Sequence, residues 1–200
     1  MPKIANRKRN GIRQLMRKVL DKSSVRSWQE DDAESLAKYA DNRKIWLNLR
    51  DAFPHPYTLE DAHNYLSMVF KQDPETYFAI EVDGEAAGSI GFVLHSDVER
   101  VSAEIGYWLG ETFWNRGIMS EVARFVTSYA IKSHSLTRVY AVPFEWNTPS
   151  FRVLENAGYQ LEGRMRRSAM KDGKIVDQLL YAYVKEEMYL NIEQGDLYQI

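Results

Sequence analysis

The amino-acid sequence predicts an α+β domain with a mixed, mostly antiparallel sheet of six to seven strands, flanked by about four helices. Three observations indicate this class. Segments with helical spacing alternate with segments of strand character along 200 residues. Two Asp-Gly pairs, starting at Asp83 and Asp172, each separate two β-rich segments, as hairpin turns do. A strand, helix, strand, helix order then precedes the last hairpin, and such an order places helices on the faces of a sheet.

The chain begins with a basic segment. Residues 1–26 hold nine Lys and Arg and one Asp, whereas the other residues carry 17 basic and 27 acidic side chains. From Ile12 the apolar positions fit a helical stripe, but a short strand fits the latter half nearly as well, and both alternatives stay open. We expect residues 1–22 to form a basic N-terminal arm or extension. It would contact RNA or the ribosome, or have no binding role.

Residues 23–190 are expected to form one domain, followed by a C-terminal tail over residues 191–200. A first strand, SSVRSWQ, precedes a helix in EDDAESLAKYA, whose acidic start suits a helix N-terminus. A proline-bounded loop leads to a further helix, where Thr58 and Asp61 have the spacing of a capping box. YFAIEV and AAGSIGFVL form a hairpin, to which VSAEIGYWL adds a third strand.

The second half of the domain continues with a helix that begins after Gly117. Apolar side chains recur there at helical spacing, at Ile118, Val122, Phe125, Val126, Tyr129 and Ala130. TRVYAVPF is the next strand. Thr148 can cap the following helix with Pro149 at its first position, and Gly158 can end it. YQLEGRMRRSAM and KIVDQLLYAYV form the closing hairpin.

The composition excludes several classes of protein. The chain has no cysteine, which excludes a disulfide framework, a thiolate metal site and a cysteine nucleophile. The four histidines have no zinc-like spacing, so no metal is expected. No apolar run approaches the ~20 residues of a membrane helix, and the charged N-terminus lacks the apolar stretch of a signal peptide. We therefore expect a cytoplasmic protein without membrane contact.

The stretch ETFWNRGIMSEV places a polar turn and Gly117 between a strand and a helix. Such a turn can aim backbone N–H groups and the positive end of the helix dipole at a phosphate. The glycine keeps a side chain out of the approach. Alternatively, the glycine has only a structural role at a crowded corner.

Two segments together, AEIGYWLGETFWNRGIMSEV and NTPSFRVLENAGYQLEG, resemble the GNAT superfamily of acyl-CoA-dependent N-acetyltransferases. More narrowly, they are similar to the branch that acetylates the N-termini of ribosomal proteins. The resemblance runs from about residue 25 to residue 187. It implies acetyl-CoA (coenzyme A) as cosubstrate and a primary amine as acceptor, either a protein N-terminus or a small molecule such as a polyamine or antibiotic. It also implies a monomer or a homodimer.

The resemblance assigns residues to cofactor binding. The pyrophosphate turn of the family, Gln/Arg-x-x-Gly-x-Gly/Ala, falls on residues 114–119, where only Gly117 matches and Arg116 offers a cation for phosphate. Asn147 falls where the family binds the pantetheine arm, and backbone N–H groups near Leu109 would polarise the thioester carbonyl. The residues expected to bind acetyl-CoA are Leu109, Asn115, Arg116, Gly117, Ile118, Met119, Ser120, Asn147 and Ser150.

The chemistry needs a base, because an ammonium has no lone pair with which to attack a thioester. Strand alternation places Glu104 on one face with Gly106 and Trp108, and Glu104 is the candidate base. Partial desolvation beside Trp108 would raise the carboxyl pKa. The alternative for Glu104 is a structural ion pair with an arginine such as Arg100 or Arg138.

Ser150 is the preferred proton donor to the departing thiolate; the alternatives are solvent or a purely local hydrogen bond. Many relatives have a tyrosine where this chain has Leu154. That departure, together with Met119 in the phosphate turn, keeps open a CoA-binding regulatory protein without turnover. The acceptor amine is expected to contact an aromatic region by cation–π interaction. Its residues are Trp46, Asn48, Phe53, His55, Tyr57 and Trp108, although core packing explains Trp46 and Phe53 equally well.

Overall fold

The computed structural model of the chain describes residues 15–185. Most of the predicted basic arm, residues 1–14, lies outside the described residues, and so does the predicted tail over residues 191–200. Within residues 15–185, no helix is both long enough and apolar enough to span a membrane.

The described residues form eight strands and five α-helices. The strands are β1 (Arg17–Val19), β2 (Ser24–Arg26), β3 (Tyr77–Val82), β4 (Glu85–Leu94), β5 (Ser102–Leu109), β6 (Arg138–Ala141), β7 (Gln160–Lys171) and β8 (Lys174–Val184). The helices are α1 (Ala33–Ala40), α2 (Arg43–Trp46), α3 (Leu59–Phe70), α4 (Ile118–His134) and α5 (Thr148–Asn156).

One sheet contains all eight strands, in the order β1-β2-β3-β4-β5-β6-β8-β7. The β5–β6 pair is parallel, and the other neighbours are antiparallel. The predicted mixed, mostly antiparallel α+β class is therefore confirmed, with one strand more than expected. The additional strand is β1, which pairs Arg17 with Arg26. Part of the predicted arm thus belongs to the sheet.

Helices cover both faces of the sheet. Along β3, Phe78 and Ile80 join the buried cluster that contains side chains of α4 and α5. Ala79, between them, joins a second cluster with side chains of α1 and α3. Because successive strand residues point to opposite faces, these two clusters mark the two sides of the sheet.

The predicted hairpin turns have the backbone geometry that Asp-Gly pairs favour. Asp83 and Gly84 have φ values of 52° and 85°, and Asp172 and Gly173 have values of 50° and 72°. Tight hairpin turns of type I′ need positive φ at both central positions, which glycine and aspartate tolerate better than most residues. Both hairpin predictions are therefore confirmed.

The start of α5 differs from the prediction. The side chain of Asn147 caps the helix, because its Oδ1 accepts the N–H of Ser150 at 3.3 Å. Thr148 is instead the first helical residue, so its assignment as the cap is wrong by one position. Asparagine ranks among the best N-cap residues, which explains why the helix begins after it.

The capping box of α3 yields a first testable prediction. Thr58 Oγ1 accepts the N–H of Asp61 at 3.2 Å, and Asp61 Oδ2 accepts the N–H of Thr58 at 2.8 Å. We expect Thr58→Ala to lower the free energy of unfolding by about 1 kcal/mol, which corresponds to a melting temperature roughly 2–4 °C lower. Thermal unfolding measures this loss.

Thr148→Ala is the matched control for Thr58→Ala. Thr148 is exposed at the start of α5 but does not cap it, so this substitution should change stability by less than about 0.5 kcal/mol. Equal losses in the two variants would contradict the capping assignment.

Hydrogen bonds from the Thr58 hydroxyl and N–H lower the pKa of Asp61. The contribution of this carboxylate is therefore present above its unfolded-state pKa and lost as the pH falls.

Candidate active site

The sheet opens between β5 and β6. These parallel strands pair only from Ser102 with Arg138 to Glu104 with Tyr140. Beyond Glu104, β5 continues to Leu109 while pairing with β4 alone. The second half of β5 therefore has one edge that β6 does not cover, and this edge forms the floor of a cleft.

The cleft has a volume of about 1500 Å³. It runs from the start of α4, past the uncovered edge of β5 and the start of α5, to the loop between α2 and α3. This volume exceeds that of a typical pocket for one small ligand, which is roughly 300–1000 Å³. The charged residues among its lining are mostly basic: Lys44, Arg50, Arg116 and Arg152, against Asp61 and Glu104. Such a cleft suits a large anionic ligand, although the chain as a whole is slightly acidic.

The hydrogen-bond pattern shows which backbone groups face the opening. Gly110 N–H donates to Ala87 O at 2.8 Å, and Ser102 O accepts His95 N–H at 3.2 Å, so even-numbered residues of β5 bond to the β4 side. The backbone groups of Tyr107 and Leu109 consequently face the opposite, uncovered edge. The indole Nε1 of Trp114 donates to Leu109 O at 2.6 Å. This bond occupies the carbonyl and leaves the Leu109 N–H facing the opening.

The turn before α4 has a left-handed backbone at two positions. Asn115 has a φ of 60° and Gly117 a φ of 79°. Among residues 15–185, a Cβ atom added to Gly117 would meet only Lys22 Nζ, at 3.9 Å, so backbone conformation rather than lack of space favours glycine here. The first N–H groups of a helix have no partner within it. In α4 these groups belong to residues that line the cleft, which is the arrangement that binds anions.

Two cations lie at this turn. The guanidinium of Arg116 is folded back: it donates to Thr112 O at 2.9 Å and lies 5.2 Å from the centre of the Phe113 ring. Lys22, in the turn between β1 and β2, donates from Nζ to the carbonyl of Arg116 at 2.8 Å. The hairpin thus brings a second positive charge to the start of α4.

At the start of α5, the cap places Ser150 opposite β5. Ser150 Oγ lies 2.8 Å from the hydroxyl of Tyr107, whose side chain is packed against the core on the α4 and α5 face. Burial raises the pKa of Tyr107, so the phenol stays protonated at neutral pH. Asn147, Ser150 and Tyr107 all line the cleft.

Glu104 lines the cleft on the other face of β5, as strand alternation predicts. Ile105, Leu109 and Tyr107 contact the core under α4 and α5, whereas Trp108 packs on the α1 and α3 side. The Glu104 carboxylate pairs with Arg50, from the loop after α2. The proposed partners Arg100 and Arg138 are wrong, because Arg100 binds Asp97 O and Arg138 pairs with Glu162.

The Arg50–Glu104 pair is accessible to solvent. The side chain of Glu104 is 26% exposed and that of Arg50 is 69% exposed. An exposed arginine can leave the carboxylate at small cost, because surface ion pairs contribute little to stability. The negative charge of Glu104 also acts on its neighbours. Burial is the largest cause of the raised pKa of Tyr77 and of Tyr140, and the charge of Glu104 is the second largest.

Aromatic side chains form the other end of the cleft. Phe53 lies 4.8 Å from Tyr57 and 5.9 Å from Trp108, measured between ring centres. Asn48 also lines the cleft, where its Oδ1 accepts the indole N–H of Trp146 at 3.0 Å. Four of the six residues predicted to contact the acceptor are therefore brought together.

The other two, Trp46 and His55, do not line the cleft. Trp46 has a cation of the protein on its ring: Lys171 Nζ lies 3.8 Å from the ring centre and donates to Asp51 Oδ1 at 2.7 Å. Lys171 is 1% exposed, so its ammonium is enclosed by these partners. His55 packs on Trp46, with 5.9 Å between ring centres. The geometry therefore gives Trp46 and His55 a structural place beside the cleft.

Three residues near the cleft were not predicted from the sequence. Lys22 belongs to the predicted arm, and only the β1–β2 hairpin shows that its side chain reaches the start of α4. Arg50 lies in a loop, where no periodic pattern of residues indicates its contacts. Tyr107 carried a usable signal, because strand alternation places it on the face opposite Glu104, where α5 packs.

The structure thus combines a mixed sheet that opens between two parallel strands with a glycine turn and a helix N-terminus at one end of the opening. The family model described as acetyltransferase (GNAT) domain matches residues 24–160. The chain therefore belongs to this family, and the resemblance inferred from the sequence is confirmed.

Individual relatives support the assignment. The uncharacterized N-acetyltransferase p20 of Bacillus licheniformis is 28% identical over 84% of this chain and 95% of its own length. The ribosomal protein uS5 alanine N-acetyltransferase of Escherichia coli (strain K12) is 27% identical over 84% of this chain and 90% of its own. A solved structure of Mycobacterium smegmatis RimJ in complex with CoA-disulfide matches with a TM-score of 0.73 and 25% identity, over 84% of each chain.

Proposed function

We propose that this acetyltransferase moves the acetyl group of acetyl-CoA to a primary amine by direct attack in a ternary complex. We further propose that the amine is the N-terminal amine of a ribosomal or other protein. The observation that carries the proposal is the continuity of the cleft. One opening connects the turn at Gly117, the uncovered edge of β5 and the carboxylate of Glu104. This continuity supports a ternary complex, because direct attack requires the two substrates to lie side by side.

At the cofactor end, the residues present fit acetyl-CoA. The turn at Gly117 and the first N–H groups of α4, at Ile118, Met119 and Ser120, would bind the diphosphate, with the charge of Lys22 nearby. The Leu109 N–H would polarise the thioester carbonyl from the edge of β5. The Asn147 cap uses Oδ1, so the amide NH₂ of this side chain is the group that would donate to the pantetheine arm.

At the acceptor end, Glu104 would accept the proton that the amine must lose, directly or through one water. The ion pair of Glu104 with Arg50 is exposed, so the incoming amine can displace Arg50 from the carboxylate. The rings of Phe53, Tyr57 and Trp108 would surround the amine before it loses its charge. Ser150 would donate a hydrogen bond to the sulfur as it departs.

The acceptor class rests on relatives. Among similar proteins is a ribosomal protein uS5 alanine N-acetyltransferase, which supports a protein N-terminus as the acceptor. A polyamine or an antibiotic that carries an amine is the second candidate, because the cleft presents a carboxylate and aromatic rings that any amine can use. Contact of residues 1–22 with the ribosome or RNA stays a prediction, as does the monomeric or dimeric state.

The experiment that tests the function has two stages. Calorimetric titration of the full chain with acetyl-CoA should give saturable binding. Addition of a peptide with the N-terminal sequence of ribosomal protein uS5 should then lead to release of free CoA thiol. Polyamines and antibiotics that carry an amine form the comparison set of acceptors. Binding without thiol release on any amine would favour the regulatory alternative, and absence of acetyl-CoA binding would refute the proposal.

A further inference from the structure

Tyr107 and Ser150 form a hydrogen-bonded pair inside the cleft, and nothing in the proposed chemistry yet uses the phenol. The hydroxyl of Tyr107 lies 2.8 Å from Ser150 Oγ and 3.4 Å from Ser150 O. Both partners are held by rigid elements. Tyr107 lies on β5, beyond the last pairing with β6, and Ser150 lies on the first turn of α5 under the Asn147 cap.

We propose that Tyr107 is a positioning residue for acetyl transfer. Its phenol donates to Ser150 Oγ and thereby directs the Ser150 proton at the sulfur that departs from the acyl carbon. This inference rests on the proposed function, because it needs a thioester in the cleft. It adds a residue to the reaction that the sequence pattern does not assign.

Either hydroxyl of the pair can donate the hydrogen bond. We take the phenol as the donor, because a phenol is more acidic than an aliphatic hydroxyl and is therefore the stronger donor. A serine hydroxyl can accept one hydrogen bond while it donates another. The contact with Ser150 Oγ is the short one, and the contact with the Ser150 carbonyl lies near the limit of a hydrogen bond. With the phenol as donor, the proton of Ser150 is left to point elsewhere, and Ser150 borders the cleft.

The reaction defines what this proton does. The amine nitrogen bonds to the acyl carbon, the carbon–sulfur bond breaks, and its electron pair goes to sulfur. The nitrogen loses one proton to Glu104 or water, and the sulfur, whose thiol has a pKa near 8.5, leaves as a thiolate or takes a proton from solvent. An aliphatic hydroxyl is far less acidic than a thiol, so Ser150 keeps its proton. It stabilises the developing negative charge by a hydrogen bond, which is stronger when the acceptor is charged.

This arrangement also accounts for a departure from the family pattern. Leu154 occupies the position where many relatives carry a tyrosine, and it is fully buried in the core. Tyr107 brings a phenol to the start of the same helix from the strand below it. The phenol acts through Ser150, so the pair offers a hydroxyl hydrogen-bond donor at the cleft without a tyrosine on α5.

The test compares two tyrosines of the same core. Tyr107→Phe removes only the hydroxyl, and Tyr159→Phe is the matched control. Tyr159 is 3% exposed, bonds through its hydroxyl to Thr127 Oγ1 at 2.6 Å, belongs to the same buried cluster and does not line the cleft. We expect Tyr107→Phe to lower kcat roughly tenfold, with the KM for acetyl-CoA within about twofold, and Tyr159→Phe to keep the wild-type kcat.

A double variant separates positioning from general damage. If the phenol acts through Ser150, Tyr107→Phe should cost nothing further in a Ser150→Ala background. Three outcomes would overturn the inference: a wild-type kcat in Tyr107→Phe, independent losses that multiply in the double variant, or equal losses in the two Tyr→Phe variants. Failure of the wild-type chain to turn over would instead refute the proposed function itself, and this inference with it.

Discussion

Gly117→Val is expected to weaken acetyl-CoA binding by roughly 10- to 100-fold, because a β-branched residue is strained at the φ of 79° found there. The variant can relieve the strain by reshaping the turn, and binding must then restore the shape. A strain of about 1–3 kcal/mol corresponds to the stated loss, since 1.4 kcal/mol is a factor of ten. Calorimetric titration of the variant with acetyl-CoA measures the change in Kd.

Gly84→Val is the matched control for strain. Gly84 has a φ of 85°, and no atom of the part of the chain that the structure describes lies within 4 Å of an added Cβ, but Gly84 lies in the β3–β4 turn and not along the cleft. This variant should lose thermal stability like Gly117→Val and keep the wild-type Kd for acetyl-CoA. Gly117→Asn adds a second control, because asparagine tolerates a left-handed backbone. It should recover stability yet bind less tightly, since its side chain enters the phosphate approach.

Wild-type affinity in Gly117→Val would contradict the placement of the diphosphate at this turn. The same would follow if Gly84→Val lost as much affinity as Gly117→Val, because the effect would then be general destabilisation. Gly117 is the one residue of the turn that matches the family pattern outright, so this pair of variants tests the turn at its most specific position.

Local signals predicted much of the fold. The spacing of apolar residues after Gly117 gave α4 and its first residue, and the two Asp-Gly pairs gave both hairpin turns. Each of these depends on residues close in sequence. β1 could not be decided in the same way, because a strand of three residues is stabilised by its partner β2 rather than by its own sequence. The end of β5–β6 pairing at Glu104 is likewise a property of two strands and has no local pattern.

In the candidate site, too, features that depend on neighbouring residues were predicted and those that depend on distant residues were not. Alternation along β5 correctly separated Glu104 and Trp108 from Tyr107. The partner of Glu104 was missed because Arg50 lies 54 positions away, in a loop where no periodicity operates. Trp46 was predicted to meet an external cation, but a cation from the distant β7, Lys171, already lies on its ring. Residue type predicted the kind of contact, and only the tertiary structure identified the partner.

Glu104→Gln is expected to lower kcat at pH 7 by roughly 100-fold, because the amide cannot accept the proton that the attacking amine must lose. Acetyl-CoA binding should stay at the wild-type value, since Glu104 lies on the acceptor side of β5. Steady-state kinetics with the acceptor found by the amine screen, together with calorimetric titration, measure the two quantities. Glu162→Gln is the matched control: Glu162 also pairs with an arginine, Arg138, but does not line the cleft.

The pH dependence of this loss reports on the acceptor. A free α-amine has a pKa of about 7.7–8.0, whereas a lysine-like amine has one near 10.4. If the acceptor is a protein N-terminus, most of it is neutral at pH 9, so the difference between wild type and Glu104→Gln should narrow between pH 7 and pH 9. For a more basic small-molecule amine, the difference should persist to higher pH. The same variant thus tests the base and distinguishes the two acceptor classes.

Arg50→Gln separates a catalytic role of Glu104 from a structural one. If the ion pair only braces the cleft, removal of either partner should cost the same kcat. If Glu104 is the base, Arg50→Gln leaves the carboxylate in place and should retain most of the activity, because an exposed pair contributes little stability. A Glu104→Gln enzyme with wild-type kcat at pH 7 would exclude this carboxylate and leave proton removal to water in the cleft.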